Sequence, residues 1–279
     1  LRIVEREDFG DKKTMADSAL YLKILGSGTS QGVPMIGCTC PVCTSADPRD
    51  QRTRSSIYIH APEIALLVDT TPELRVQSIR EKLHRVDAVL MTHGHADHIM
   101  GFDDLRRYCE LKQGVMPIYG SAPTLDFLKH IFTYAFDPNI QVRGYVQGEP
   151  HPVTTTFQLG EWTITPYPVP HGRTETYGYA FSRDGKMRLA YFSDCKSIPD
   201  EFVQSLRGVP ILIIDGLRVE PHPTHLTQNE AIEIGRKMEA QSIYLTHLTH
   251  QRRHADLEAE LPEGVRLAYD GLTLSLSDP

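Results

Sequence analysis

No apolar run in this chain approaches the ~20 residues that a membrane-crossing helix needs, and no signal-peptide pattern opens it. The sequence therefore predicts a cytoplasmic location and no membrane partner. No Ser/Gly-rich or Pro-rich stretch divides the 279 residues, which makes one domain over residues 20–279 the expectation. Residues 1–19 mix charged and polar side chains without periodicity and read as an N-terminal tail or arm, with Met15 an alternative native start. Positive charge is not in surplus: 29 Lys and Arg stand against 36 Asp and Glu, a net −7 that argues against a long groove gripping a phosphate backbone and disfavours nucleic acid as a partner. A disulfide framework is missing too. Of five cysteines, three are packed into Cys38-Thr39-Cys40-Pro41-Val42-Cys43, the spacing of a thiolate cluster. Three bound thiolates and three dications would leave a formal charge of about −4, with all the added positive charge at metal centres that draw in an anionic substrate.

What the chain does hold is a dense set of metal-ligating groups. Thr92-His93-Gly94-His95-Ala96-Asp97-His98 gathers three imidazoles and one carboxylate, whose lone pairs suit a borderline divalent cation. His93 and His95 are two apart and point the same way on extended backbone, while Asp97 and His98 lie just beyond the turn. One loop can thus hand two ligands to each of two adjacent metals. A run of surface histidines ahead of a helix is the plainer alternative, and the concentration of ligating groups speaks against it. The apolar Val86-Asp87-Ala88-Val89-Leu90-Met91 reads as a buried strand that delivers the loop rigidly. Three further polar residues stand where apolar runs end: His171 after Tyr167-Pro168-Val169-Pro170, Asp194 after Ala190-Tyr191-Phe192-Ser193, and His247 after Ile243-Tyr244-Leu245-Thr246. Asp69 closes Ala65-Leu66-Leu67-Val68 and reads as a carboxylate that orients a metal-bound histidine, in preference to a helix N-cap.

The rest of the pattern is α/β. Residues 21–25 alternate as a strand, then break into Gly26-Ser27-Gly28-Thr29-Ser30-Gln31-Gly32, which lacks both the dinucleotide fingerprint and the lysine of a P-loop and reads as a turn letting backbone approach a ligand or metal loop. Strands are expected over 56–60, 65–69, 117–120, 154–159, 162–169, 177–181, 188–192, 209–215 and 242–246, and helices over 72–83, 100–111, 124–134 and 227–240. Strands grouped in two halves, each followed by helices, predict two packed sheets with helices outside.

His93, His95, Asp97 and His98, the later His171, Asp194 and the final His247 fill every position of an H-x-H-x-D-H pattern with its later His, bridging Asp and last His. On these residues the chain resembles the metallo-β-lactamase superfamily over residues 21–276. The resemblance implies an αββα sandwich, two mixed β-sheets face to face with helices outside. It places His93, His95 and His171 on one metal, Asp97, His98 and His247 on a second, and Asp194 between them. A narrower resemblance rests on Cys38, Cys40 and Cys43, on His250 three positions after His247, and on the run from Gly26 to Pro34: it is to the phosphodiesterases related to the carbon-phosphorus lyase pathway protein PhnP. There, such cysteines and histidine hold a structural zinc. Thr224-His225-Leu226-Thr227, ahead of Glu230-Ala231, resembles the motif carrying the general-acid histidine in that family and in the tRNA 3′-processing nucleases. His225 is the candidate acid and His222 its competitor, with a merely exposed turn residue the alternative.

The activity this implies is hydrolysis of small or cyclic phosphodiesters, of ribose cyclic phosphate or cyclic nucleotide type. Asp97 and Asp194 serve it at two cations that acidify water and clamp phosphoryl oxygens, and His225 protonates the departing alkoxide. The implied cofactors are two active-site divalent metals, manganese or zinc with iron also suited to the ligands, and one structural zinc. The implied partner is a small phosphodiester or nucleotide, with room for a homodimer. A tRNA 3′-processing-like nuclease is the enzyme alternative, and the lack of an extended basic arm tells against it. The cysteine cluster tells against a thioester hydrolase resembling glyoxalase II. A carrier resembling the pyrroloquinoline-quinone synthesis B protein is the non-catalytic alternative. Cys109 and Cys195 read as small buried side chains, and His60, His84, His130, His151 and His254 as ordinary surface or core residues.

Overall fold

The computed structural model describes residues 20–137, 139–140 and 144–277, so the tail read over residues 1–19 lies outside the described residues. Strands β1 (Tyr21–Gly26), β2 (Ser56–His60), β3 (Ala65–Val68), β4 (Ala88–Leu90), β5 (Met116–Gly120) and β6 (Gly148–Pro152) join the last strand, β14 (Thr273–Ser275), in one seven-stranded sheet of order β14-β1-β2-β3-β4-β5-β6. The second sheet, order β13-β12-β11-β10-β9-β8-β7, is built from β7 (Phe157–Leu159), β8 (Trp162–His171), β9 (Thr174–Arg183), β10 (Lys186–Phe192), β11 (Ile211–Asp215), β12 (Ser242–Thr246) and β13 (Val265–Leu267).

Alternation along the central strands sets the layers. In β3, Leu66 and Val68 face the other sheet while Ala65 and Leu67 face outward; in β11, Ile213 faces in and Leu212 and Ile214 face out. Strands apolar on both faces need cover on both. Between the sheets, Ile24, Ile57, Ile59 and Leu90 pack with Trp162, Ile164, Tyr179, Phe181 and Tyr191. The first sheet is covered outside by α1 (Leu74–Arg80), α3 (Arg106–Lys112), α4 (Ala122–Ile131) and α5 (Thr133–Phe136), through residues such as Leu74, Tyr108, Leu125, Leu128 and Ala135, while the single turn α2 (Ala96–Ile99) carries Asp97 and His98. The second is covered by α6 (Asp200–Ser205), α7 (Gln228–Lys237) and α8 (His254–Glu258), through Val203, Ala231, Ile232 and Leu257. The fold is the αββα sandwich of the metallo-β-lactamases. No described helix is long and apolar enough to cross a membrane.

Several elements differ from the sequence expectation, each for a local reason. The helix expected over 100–111 splits into a 3-10 turn, Phe102–Leu105, and α3. Gly101 donates to the Thr70 carbonyl at 3.0 Å, and a Cβ there would meet the Thr71 carbonyl oxygen at 1.9 Å, so the chain bends against the α1 entry. β6 carries Pro150 and Pro152, which argue against a strand in sequence, but it lies at the sheet edge, where a missing N–H is tolerated. The helix expected over 227–240 runs from Gln228 to Lys237 with Thr227 as its cap: Thr227 Oγ1 accepts from the Glu230 N–H at 3.2 Å, and Glu230 accepts from the Thr227 N–H at 2.7 Å.

Each sheet is antiparallel on one side and parallel on the other, with β3 to β6 parallel in the first and β10 to β13 parallel in the second. Polar groups gather where such strands end, because the last backbone groups and the loops that follow are free to face a ligand. Asp69 follows β3, the 92–98 loop follows β4, Asp194 follows β10, Asp215 ends β11 and His247 follows β12.

Candidate metal centre

The seven candidate ligands lie in two groups whose donor atoms are close together. His93, His95 and His171 make one, and Asp97, His98, Asp194 and His247 the other. His95 Nδ1 lies 2.9 Å from His93 Nε2 and 3.3 Å from His171 Nε2. In the second group, His98 Nε2 is 3.3 Å from Asp97 Oδ2 and 3.2 Å from Asp194 Oδ1, and His247 Nε2 is 3.3 Å from Asp194 Oδ2. Ligands held at ~2.1 Å in a tetrahedron sit ~3.4 Å from one another, close to these separations. Asp194 reaches both groups, since its Oδ2 is also 3.8 Å from His171 Nε2.

The outer nitrogens decide where each lone pair points. Thr92 Oγ1 donates to Asp69 Oδ2 at 2.7 Å and so accepts from His93 Nδ1–H at 3.0 Å, leaving the His93 Nε2 lone pair free. His98 Nδ1–H donates to Asp69 Oδ2 at 2.7 Å, and His171 Nδ1–H donates to the Thr224 carbonyl at 3.0 Å. His95 is turned the other way, with its Nε2 3.0 Å from Thr174 Oγ1, so Nδ1 faces inward. Such outer partners fix the tautomer that a metal ligand needs. Asp69 and His247 both adopt left-handed backbone, φ 65° and 59°, uncommon for residues with a Cβ and a local cost at the site.

Cations fit this arrangement. Among the described residues, His98 Nε2, Asp194 Oδ1 and His247 Nε2 are buried with no hydrogen bond, although buried polar atoms are ordinarily paired. Burial pushes His93 below the usual histidine range and His171 to about 4, so both offer neutral imidazole at pH 7. Burial also works against charge on His98, but Asp194, Asp97 and Asp69 outweigh it and hold that ring well above its ordinary value. The same pairing outweighs burial at Asp97 and Asp194 and keeps both carboxyls well below their usual range.

A histidine absent from both groups flanks them. The His225 ring stacks on His247 at 4.7 Å and 15° and meets His171 edge-on at 4.7 Å. Its Nδ1 is 2.7 Å from Asp215 Oδ2, leaving Nε2 as the nitrogen available to a substrate. Asp215 is buried and also accepts from the Cys195 and Leu217 N–H groups at 3.1 Å each. Sequence reasoning missed Asp215. The signal was there, since it closes an apolar strand just as Asp69 does. His222 stands further out, half-buried, with its ring 5.0 Å from that of His225 and its Nδ1 accepting from the Thr224 N–H at 3.3 Å.

Cys38, Cys40 and Cys43 surround His250 Nδ1 at 3.4, 3.3 and 3.5 Å. Three sulfurs around one nitrogen near ~3.6 Å is the edge length of a tetrahedral Cys3His zinc site. The Cys43 N–H and the His250 ring lower the Cys40 thiol to about 6, while burial raises Cys43 to about 11. The Gly-rich turn docks beside this cluster: Leu248 N–H donates to Ser27 at 2.9 Å, Thr29 N–H to Leu248 at 3.2 Å, and a Cβ on Gly28 would meet the Arg52 carbonyl at 2.8 Å.

The family described as beta-lactamase superfamily domain matches residues 65–248. A crystal structure of a diphosphatase from the PhnP family is 42% identical with a TM-score of 0.83, the match covering 91% of this chain and 96% of that one. An octanoyltransferase of Porphyromonas gingivalis is 35% identical over 89% of this chain but 50% of its own length, so the chain spans half of that protein. Coenzyme PQQ synthesis protein B of Methylobacterium radiotolerans is 31% identical, over 69% of this chain and 71% of that protein.

Proposed function

From the premise that this chain belongs to the β-lactamase superfamily and has its hydrolase fold, we propose that it is a metal-dependent phosphodiesterase acting on small or cyclic phosphodiesters. The observation that carries the reading is the placement of His225, fixed by Asp215, against both His171 of one ligand group and His247 of the other. That is a proton donor beside a two-cation site.

In this reading His93, His95 and His171 would hold one divalent cation, Asp97, His98 and His247 would hold a second, and Asp194, which reaches both groups, would serve both. Bound there, the cations supply an acidified water and neutralise charge on the phosphoryl oxygens during in-line displacement. Asp69 keeps His98 in one tautomer and orientation. Asp215 holds the Nδ1–H of His225, so the acid form of this residue is the imidazolium and the proton it gives away sits on Nε2. An alkoxide is a poor leaving group, and His225 Nε2–H protonates it as the P–O bond breaks. His222 is the weaker candidate because its ring meets that of His225, 5.0 Å away, whereas His225 meets His171 and His247 themselves. Cys38, Cys40, Cys43 and His250 hold a structural zinc, and residues 20–279 are read as one domain because both sheets share one inner core.

The test contrasts two leaving groups. His225→Ala keeps its metals and loses ~10²- to 10⁴-fold on a diester with an alkoxide leaving group, the usual worth of a general acid. A nitrophenolate needs little protonation, so a diester with that leaving group loses much less. Asp215→Asn acts through the same ring and gives the same contrast to a smaller extent. Equal losses on both diesters would make His225 a positioning or ligating residue, and no loss on either would hand the role to His222 or water.

A further inference from the structure

The cysteine loop holds a second pattern inside its ligand set. Cys40-Pro41-Val42-Cys43 is a Cys-x-x-Cys, the spacing of reversible redox dithiols. Its backbone has the matching shape: Thr44 N–H donates to the Cys40 carbonyl at 3.1 Å, closing one turn of helical pitch, and Cys43 N–H donates to Cys40 Sγ at 3.4 Å. On such a turn residues three apart lie side by side, while residues two apart, such as Cys38 and Cys40, do not. The three sulfurs and His250 Nδ1 all lie within 4.8 Å of one another, so a short movement brings Cys40 and Cys43 to the ~2.05 Å of a disulfide. Access is graded as well. Cys38 and Cys40 are half-buried on a loop where Ile36 is 98% exposed, whereas Cys43, Cys109 and Cys195 are buried. A small oxidant thus reaches Cys40, with Cys43 shielded beside it.

We propose that Cys40 and Cys43 form a peroxide-responsive dithiol, and that closing their disulfide dismantles the Cys3His site. With hydrogen peroxide as the oxidant, the Cys40 thiolate takes up one oxygen to become a sulfenic acid, and hydroxide departs. The Cys43 thiolate then attacks that sulfur, forming the S–S bond and expelling a second hydroxide. The two sulfurs give up two electrons and the peroxide takes both. Cys38 and His250 remain, too few for a tetrahedral zinc site. The loss of this anchor reaches the metal centre, because Leu248, next to the candidate ligand His247, accepts from the Thr29 N–H at 3.2 Å and donates to the Ser27 carbonyl at 2.9 Å. The plainer role of the cluster is an inert clip whose sulfurs stay on the metal.

Hydrogen peroxide, added in stepwise molar equivalents to the full metal-loaded chain, decides between these roles. As the disulfide forms, free thiols fall from five to three, and peptide mapping places the bond between Cys40 and Cys43. A chromogenic chelator reads the release of one zinc per chain, which Cys40→Ser does not show, and dithiothreitol with added zinc reverses both changes. Cys38→Ser still forms the disulfide, and Cys43→Ser leaves on Cys40 a sulfenic acid that dimedone captures. Five free thiols and retained zinc after several equivalents would overturn the proposal, as would a disulfide that includes Cys38. The rate on a bis-aryl phosphodiester falls as the disulfide forms and returns on reduction; a rate that does not follow it overturns the link to the metal centre. That last readout rests on the phosphodiesterase reading. If the reduced protein hydrolyses no diester, that reading fails by itself, and the thiol count and the mapped bond still sustain or reject the dithiol.

Discussion

At the scale of single residues, the candidate site is made by what each ligand touches on its far side. His93, His95, His98 and His171 each have one nitrogen engaged by a threonine, a carboxylate or a backbone carbonyl, which leaves the other aimed inward. The ligating residue types could be read in sequence because their spacing survives in one loop and at strand ends. Of their outer partners Asp69 could be read, because it closes an apolar strand, but the others could not, since Thr174 and the Thr224 carbonyl come from segments far along the chain and a threonine carries no signal of its own. His254 was passed over for the same reason. It is buried, and its backbone N–H donates to Asp50 at 2.7 Å while its Nδ1 accepts from Arg52 at 3.0 Å. Arginine can only donate, so the ring is held neutral. Burial and the Arg52 charge lower its pKa to about 4. In the unfolded chain it takes a proton near ~6.5, so its contribution is complete above that pH and is lost as pH falls toward the folded value. At pH 5 the loss is about 2 kcal/mol. Denaturant titrations at pH 7.5 and pH 5 should show a smaller acid loss for His254→Gln, whose amide oxygen can still accept from Arg52. Identical acid losses in both proteins would contradict this.

At the scale of elements, strands were read more reliably than helices. Apolar runs such as 209–215 are bounded by turn residues and buried on both faces, and the structure pairs Ile211–Asp215 in register with both neighbouring strands. The covering helices are short and follow tertiary demands, as where Gly101 breaks one against α1. β13 and β14 were missed because each is three residues long and only partly buried, whereas the equally short β4 is buried throughout and lies inside the longer apolar run 86–91. The cysteine loop shows how a distant element is tied down: Cys38, Cys40 and Cys43 meet His250 across more than two hundred residues of chain, four positions beyond β12. Cys40→Ser should release one zinc per chain and lower Tm by roughly 4–8 °C, the effect of about 2 kcal/mol in a chain of this size. An unchanged metal count by native mass spectrometry would remove the structural zinc from the account.

At the scale of the molecule, two sheets each contribute the ends of their parallel strands to one edge of the sandwich, and that shared edge brings residue 69 together with residue 98, and residue 97 with residue 247. Sequence patterning gave notice of two sheets with helices outside, but the resemblance supplied which strand ends meet. Asp194 is the residue at which the two ligand groups join, so it bears the central claim. The most direct measurement is the metal content of Asp194→Ala alongside its rate on a bis-aryl phosphodiester. The account predicts a folded protein that keeps its Cys3His zinc, loses metal from the dinuclear centre and falls in rate by at least ~10²-fold. Full activity at unchanged metal content would contradict it.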